Sequence, residues 1–251
     1  MKRPIALQVY TVREAAERDL AATFARIAGM GYDGVELAGF YGHSAAEIRG
    51  LADQNGLAVV SAHTPVDQLT GCLEQAVRDA QTLGQGYAAI PWLPEELRPG
   101  TPGFASLVQR LPEIVGAFAQ AGIQLLYHNH DFELIPGEGG ALPLDVLYQS
   151  VPQLQAELDV YWLKYAGLDP VAYVARYAAR CPVLHLKDME AGEERFFAPV
   201  GQGVQDVPGL IAAATGAKWL VVEQDNWRED PFACAEKSAA YLRSIGMGLR
   251  A

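Results

Sequence analysis

Five short apolar runs of this 251-residue chain end in side chains that bind metals or move protons. They read Val59-Val60-Ser61-Ala62-His63, Leu125-Leu126-Tyr127-His128-Asn129-His130, Ala156-Glu157-Leu158-Asp159, Val183-Leu184-His185-Leu186-Lys187-Asp188 and Leu220-Val221-Val222-Glu223-Gln224-Asp225. Four of the chain's five histidines fall in these endings, which argues for a shared role. Neutral imidazoles together with carboxylates suit Mn, Co, Fe, Ni or Zn, and Mg where carboxylates dominate. We therefore expect the endings to meet around one divalent metal. Residues two apart on a strand share a face, which pairs His128 with His130, His185 with Lys187, Glu223 with Asp225 and Gln8 with Tyr10.

Such endings need a scaffold that brings them to one place. Strand patterns fall at 5–10, 34–37, 57–61, 87–90, 123–127, 155–158, 183–186 and 219–222. Helical patterns fall between them at 20–30, 44–55, 69–83, 104–120, 143–149, 169–179, 207–214 and 231–245. Asp19 opens the first helix. Ser44-Ala45-Ala46-Glu47 is a capping box, and Asp169-Pro170 places a cap residue before a first-turn proline. Gly31, Gly56, Gly86, Gly122 and Gly216 precede strands, where a helix end calls for a left-handed residue. Residues 136–140 read as a turn-rich loop and 190–205 as a loop.

Eight strand–helix units without a composition shift imply parallel pairing and closure as an α/β (β/α)8 TIM barrel, one domain over residues 1–251. A doubly wound open sheet would favour a glycine-rich turn after the first strand, and Gln8-Val9-Tyr10-Thr11-Val12-Arg13 contains no glycine. In a barrel, groups at the C-terminal ends of strands line one mouth.

The net charge of −11 and pI near 4.9 disfavour a nucleic-acid partner, since the 19 basic residues form no patch. No apolar stretch approaches the roughly 18 residues that span a membrane, and the N-terminal run is too short for a signal peptide. A cytoplasmic location is expected. Cys72, Cys181 and Cys234, odd in number and widely spaced, read as idle thiols of a reducing compartment.

The ordered endings resemble the xylose isomerase-like barrels, the superfamily of sugar isomerases and epimerases, inosose dehydratase and endonuclease IV. Tyr127-His128-Asn129-His130-Asp131-Phe132-Glu133 is similar to a signature of one sub-branch. His185-Leu186-Lys187-Asp188, the Gly201-Gln202-Gly203 loop with Asp206, and Val221-Val222-Glu223-Gln224-Asp225 extend the likeness over the whole chain. The resemblance implies metal ligands at His128, Asp159, His185 and Glu223, with Mn, Co, Mg or Zn as the ion. His130 remains an alternative to His128. The family's epimerases place a carboxylate where this chain has His128, so a symmetrical two-glutamate exchange is not expected.

The implied reaction is proton abstraction beside a carbonyl of a sugar or polyol, through a metal-stabilised enediolate. Glu223 is then ligand and base, with His63, Lys187, His130 and Glu133 as further acid–base or hydrogen-bonding groups. Gln8, Tyr10, Glu36, Trp92, Trp162 and Gln202 are candidates for contact with substrate. Against these stand plainer roles: a structural partnership for Glu36 and Glu157, surface exposure for His43, and loop packing for Trp92, Trp162 and Trp227. Isomerase or epimerase chemistry leads. Dehydratase or lyase chemistry on a keto-sugar or inosose uses the same centre, and an endonuclease-like phosphodiesterase or a metal-free sugar-binding barrel stands further off. A homo-oligomer is left open.

Overall fold

The structure, a computed structural model, describes residues 2–137 and 139–250. Met1, Glu138 and Ala251 lie outside the described residues, so the expected 136–140 turn is described only in part, and the 1–251 domain span without its two terminal residues. Eight parallel strands form a nearly closed barrel: β1 (Ile5–Gln8), β2 (Gly34–Leu37), β3 (Ala58–Ala62), β4 (Tyr87–Ile90), β5 (Gln124–His128), β6 (Gln155–Asp159), β7 (Val183–Leu186) and β10 (Trp219–Val222). Their order around the ring is β3-β2-β1-β10-β7-β6-β5-β4. The remaining edge, between β3 and β4, meets at the His63–Ala89 bridge, where the Thr64 N–H donates to Ala89 O at 2.8 Å.

Strand alternation divides the apolar residues into two cores. Ile5, Leu7, Val35, Leu125, Leu158, Leu184 and Leu220 face the surrounding helices and join the large outer core. Ala6, Val60, Ala89, Leu126, Val183 and Val221 form a small cluster of their own, the floor of the barrel interior. Above that floor a barrel is ordinarily filled with branched apolar side chains. Here the layer above is Gln8, Glu36, His128, Glu157, His185 and Glu223, all buried. Register explains their meeting: Gln8 pairs with Glu36, His128 with Glu157, and Asp159 with His185.

Helix starts follow local chemistry. Asp19 accepts from the Ala22 N–H ahead of α2 (Leu20–Gly29), Ser44 and Glu47 close the capping box of α3 (Ala45–Gln54), and Asp169 caps α9 (Pro170–Tyr177).

Several expectations are corrected. β1 ends at Gln8 rather than Tyr10, because Gln8 Oε1 accepts from the Tyr10 N–H at 3.1 Å and turns Val9–Val12 into a 3-10 helix. Gln8 therefore points into the barrel while Tyr10 swings to the rim, 41 % exposed. The 69–83 helix is two, α4 (Val66–Gly71) and α5 (Leu73–Leu83), broken at Cys72. Two short helices escaped the periodicity: α1 (Arg13–Arg18), and α8 (Val160–Tyr165), which is started by Asp159 Oδ1 accepting from Tyr161 and Trp162 N–H groups. Gly31, Gly56 and Gly122 are left-handed as expected, but before β4 that role falls to Gly84, the C-cap of α5. Gly216 is needed for space, because a Cβ there would run into the Ala178 carbonyl.

The 190–205 loop is also more ordered than expected. β8 (Asp188–Met189) pairs with β9 (Phe197–Ala198), and buried Asp188 accepts from Gly201, Gly203, Gln205 and Met189 N–H groups at 2.8–3.0 Å. Asp188→Ala removes the acceptor for four backbone donors and is expected to lower stability by about 3 kcal/mol. Limited proteolysis should then cut first within 190–205; an unchanged cleavage pattern would contradict the role.

Candidate metal centre

The polar layer is one connected network. Glu36 Oε2 accepts from Gln8 Nε2 at 2.9 Å and lies 2.6 Å from His185 Nε2. Glu157 Oε1 lies 3.0 Å from His63 Nε2, 3.2 Å from His128 Nδ1 and 3.3 Å from His185 Nε2. Burial opposes charge on every member. Facing imidazoles nonetheless hold Glu36 well below the usual carboxylate range. Burial and the neighbouring Glu36 charge push Glu157 up to about 7. Burial presses His63 down, but Glu36 and Glu157 outweigh it and carry the ring up to about 10.

A second tier stands above this network. His185 Nδ1 lies 3.1 Å from Glu223 Oε2. The fully buried Lys187 ammonium sits among Asp225 Oδ1 at 2.8 Å, Asp159 Oδ2 at 2.9 Å and Glu223 Oε2 at 3.0 Å. Burial alone would lower its pKa, and the three carboxylates hold it well above the ordinary value. Burial would raise Glu223 in turn, and Lys187 with His185 keeps it ionised. Asn129 brackets Asp159, its Oδ1 accepting from the Asp159 N–H at 2.9 Å.

The donor set fits a divalent cation. One ligand atom from each of His128, Asp159, His185 and Glu223 falls within 4.8 Å of the others, and all four residues are buried. Burial, then His185 and His63, hold His128 well below the usual imidazole range, so its ring is neutral and carries one proton. That proton belongs on Nδ1, which faces Glu157 Oε1 at 3.2 Å. Nε2 then presents a lone pair toward Asp159 Oδ2 at 3.8 Å, an oxygen whose near partner is the Lys187 ammonium at 2.9 Å. A lone pair and a carboxylate converging in a buried site make a donor set for a cation, and Lys187 already supplies positive charge on its carboxylate side. His63, His128, Glu157 and His185 form a second cluster of metal-ligating type, and it shares two imidazoles with the first. Its one carboxylate, Glu157, faces the three imidazoles, the usual arrangement behind metal-bound histidines.

A cavity of about 520 Å³ opens over this centre, lined by Tyr10, His63, Trp92, His128, His130, Lys187 and Glu223 among the residues singled out from sequence. Arg13, Asp225 and Asn226 also line it and were not singled out for that role. Arg13 stacks over Tyr10 at 4.2 Å and donates to Asp225 O, a placement set by the unforeseen turn after β1. Gln8 and Glu36 lie in the layer beneath.

Glu133 is placed away from the cavity. It is fully buried, with one oxygen on the Tyr127 hydroxyl at 2.6 Å and the other on the His130 N–H at 2.8 Å. Burial pushes its carboxyl up to about 7, and its evident effect is to hold the His130 backbone. His130, kept neutral by burial, stacks 5.8 Å from Phe132 and lies 5.3 Å from Trp162. Trp162 packs behind it, and Gln202 is exposed on its loop with its N–H on Pro199 O. Glu157 pairs with three imidazoles, a partner set its position on a strand did not disclose.

Comparisons agree with this architecture. The family model described as xylose isomerase-like TIM barrel matches residues 24–245. Among solved structures, a sugar phosphate isomerase/epimerase from Parabacteroides distasonis superposes with a TM-score of 0.78 at 24 % identity, covering 97 % of this chain and 94 % of that one. A probable 3-DHS dehydratase involved in petrobactin synthesis from Bacillus anthracis gives 0.73 at 15 %, covering 97 % and 99 %. A D-allulose 3-epimerase from Methylomonas sp. gives 0.73 at 16 %, covering 97 % and 98 %. At these identities the likeness is one of fold. No curated protein matches the sequence. No helix among the described residues is long and apolar enough to cross a membrane.

Proposed function

The chain belongs to the xylose isomerase-like TIM-barrel family, and from that premise we propose that it is a single-barrel, metal-dependent isomerase or epimerase of a sugar or polyol. The observation that carries the reading is the buried cluster of His128, Asp159, His185 and Glu223, one ligand atom of each within 4.8 Å of the others, beneath the cavity that His128 and Glu223 line. His128, Asp159, His185 and Glu223 would hold the ion, of Mn, Co, Mg or Zn type. A divalent ion bound there would supply Lewis-acid stabilisation of negative charge developing on the substrate oxygens.

The chain's own groups do the rest. Glu36 and Glu157 accept the outer imidazole N–H groups and fix which nitrogen of His185 and His128 faces the ion. Glu223, kept ionised by Lys187, takes the proton from the carbon beside the carbonyl. His63, His130 and Lys187 line the cavity as donors to substrate hydroxyls. Return of the proton to the neighbouring carbon is isomerisation; return to the opposite face is epimerisation.

A second reading rests on His128. A neutral imidazole at the strand-five position is no carboxylate base for the opposite face. Protonated His63 on the cavity wall is instead suited to donate to a departing β-oxygen, which favours a dehydratase or lyase. Solvent deuterium incorporation into a panel of keto-sugars and inososes separates the two: exchange without loss of oxygen supports isomerisation or epimerisation, and loss of water or an alcohol supports elimination. Glu223→Gln should slow exchange on the order of 10³-fold; full exchange in that variant would refute Glu223 as the base.

A further inference from the structure

A second cavity, of about 510 Å³, adjoins the one over the metal centre and shares Pro65, Pro91 and Trp92 with it. Each is within the roughly 300–1,000 Å³ typical of ligand pockets. Their linings differ in kind. The mouth carries imidazoles, Lys187 and carboxylates, whereas the neighbour is walled by Val66, Leu97, Leu107, Pro94 and the Trp92 ring.

Trp92 stands on the ridge between the two, 44 % exposed, and its ring is held on one side. The Arg98 guanidinium lies 5.0 Å from the Trp92 ring and 4.4 Å from Phe132, and Phe132 stacks on His130. A continuous stack thus runs from the polar cavity to the apolar one, and the Arg98 Nε–H donates to Leu93 O at 3.1 Å to fix its middle. The Trp92 face, prepositioned in this way beside Leu97, Leu107 and the prolines, favours a flat apolar group. The lining of this cavity also holds Thr70, Ser106 and Arg110, but Asp67 and Glu96 leave it net negative, which disfavours a phosphate.

We propose that the apolar cavity is a subsite for an aromatic or otherwise apolar arm attached to the sugar ring, so that the substrate class is a glycoside of an apolar alcohol rather than a free or phosphorylated monosaccharide. This deepens the sugar-enzyme reading and rests on it. The test measures binding and needs no turnover, so a failure of the isomerase or lyase chemistry leaves the result readable.

The probes are 4-nitrophenyl and methyl glycosides of glucose, galactose and mannose, titrated calorimetrically into metal-loaded protein. In at least one sugar series the aryl glycoside should bind roughly tenfold or more tightly than its methyl partner, as burial of a phenyl ring requires. Ser106→Trp fills the apolar cavity from an exposed helical position, and Leu97→Gln makes its wall polar; both residues line this cavity alone. In either variant the aryl advantage should shrink to within twofold while methyl-glycoside affinity stays unchanged. Equal binding of aryl and methyl partners, an advantage that survives both variants, or no binding of any pair would overturn the proposal. So would a concentration-dependent dimer that Ser106→Trp abolishes, since the cavity would then be covered by a second copy of the chain.

Discussion

His185→Ala is expected to strip the centre of its divalent ion and to abolish activity. Both ring nitrogens of His185 are closely engaged: Nδ1 faces Glu223 Oε2 at 3.1 Å and Nε2 faces Glu36 Oε2 at 2.6 Å. The truncation therefore removes one of the four proposed ligands and leaves Glu36, Glu157 and Glu223 short of their common partner. Loss of a mere supporting contact weakens metal binding some 10–100-fold, and loss of a ligand should exceed that. Leaving buried carboxylates uncompensated costs about 3–5 kcal/mol. At roughly 2–4 °C per kcal/mol for a chain this long, the melting temperature should fall by about 10 °C. Metal content by mass spectrometry after growth with Mn, Co or Zn, together with a thermal melt, checks both arms. A full metal complement in the variant would sink the assignment.

Lys187→Met should produce the second large effect, with the opposite response to metal. The substitution keeps the length of the buried stem and deletes the ammonium that Asp159, Glu223 and Asp225 surround. Three carboxylates then face one another without a cation. We expect about 3–5 kcal/mol of lost stability in metal-free protein. Added divalent ion should restore more of it than it adds to the wild type, because binding to the folded state alone stabilises by mass action. The pH dependence has a defined sign. Lys187 lowers the folded-state pKa of Glu223, so its contribution is present above the ordinary carboxylate pKa and fades as pH falls. The deficit of the variant should accordingly be largest at neutral pH and shrink toward acid. An unchanged melting temperature, or a deficit that grows in acid, would show that the ammonium is not the group compensating this tier.

Much of the scaffold can be read without coordinates because its signals are local. Asp19, the Ser44–Glu47 box and Asp169-Pro170 begin their helices by hydrogen bonds within three residues. The alternation of strand and helix over the whole chain then leaves parallel closure as the economical solution. The endings in histidine and carboxylate are likewise visible, because each lies at the end of an apolar run, and in a barrel those ends share one mouth.

What the linear order does not contain is direction. Tyr10 leaves the face of Gln8 because a single side-chain hydrogen bond ends β1 two residues early. Glu133, close in sequence to His128, is drawn beneath the loop by the Tyr127 hydroxyl. Glu157 gains three imidazole partners only through registers that set β6 beside β5 and β7. By itself, then, the sequence determines the barrel, the order of its mouth residues and the type of ion they suit. Only the tertiary structure decides which imidazole nitrogens face carboxylates, which carboxylates orient the rings and that Lys187 enters among the acids. Those outcomes depend on inter-strand register and on where each strand gives way to a turn, and a shift of one residue reverses the face a side chain presents.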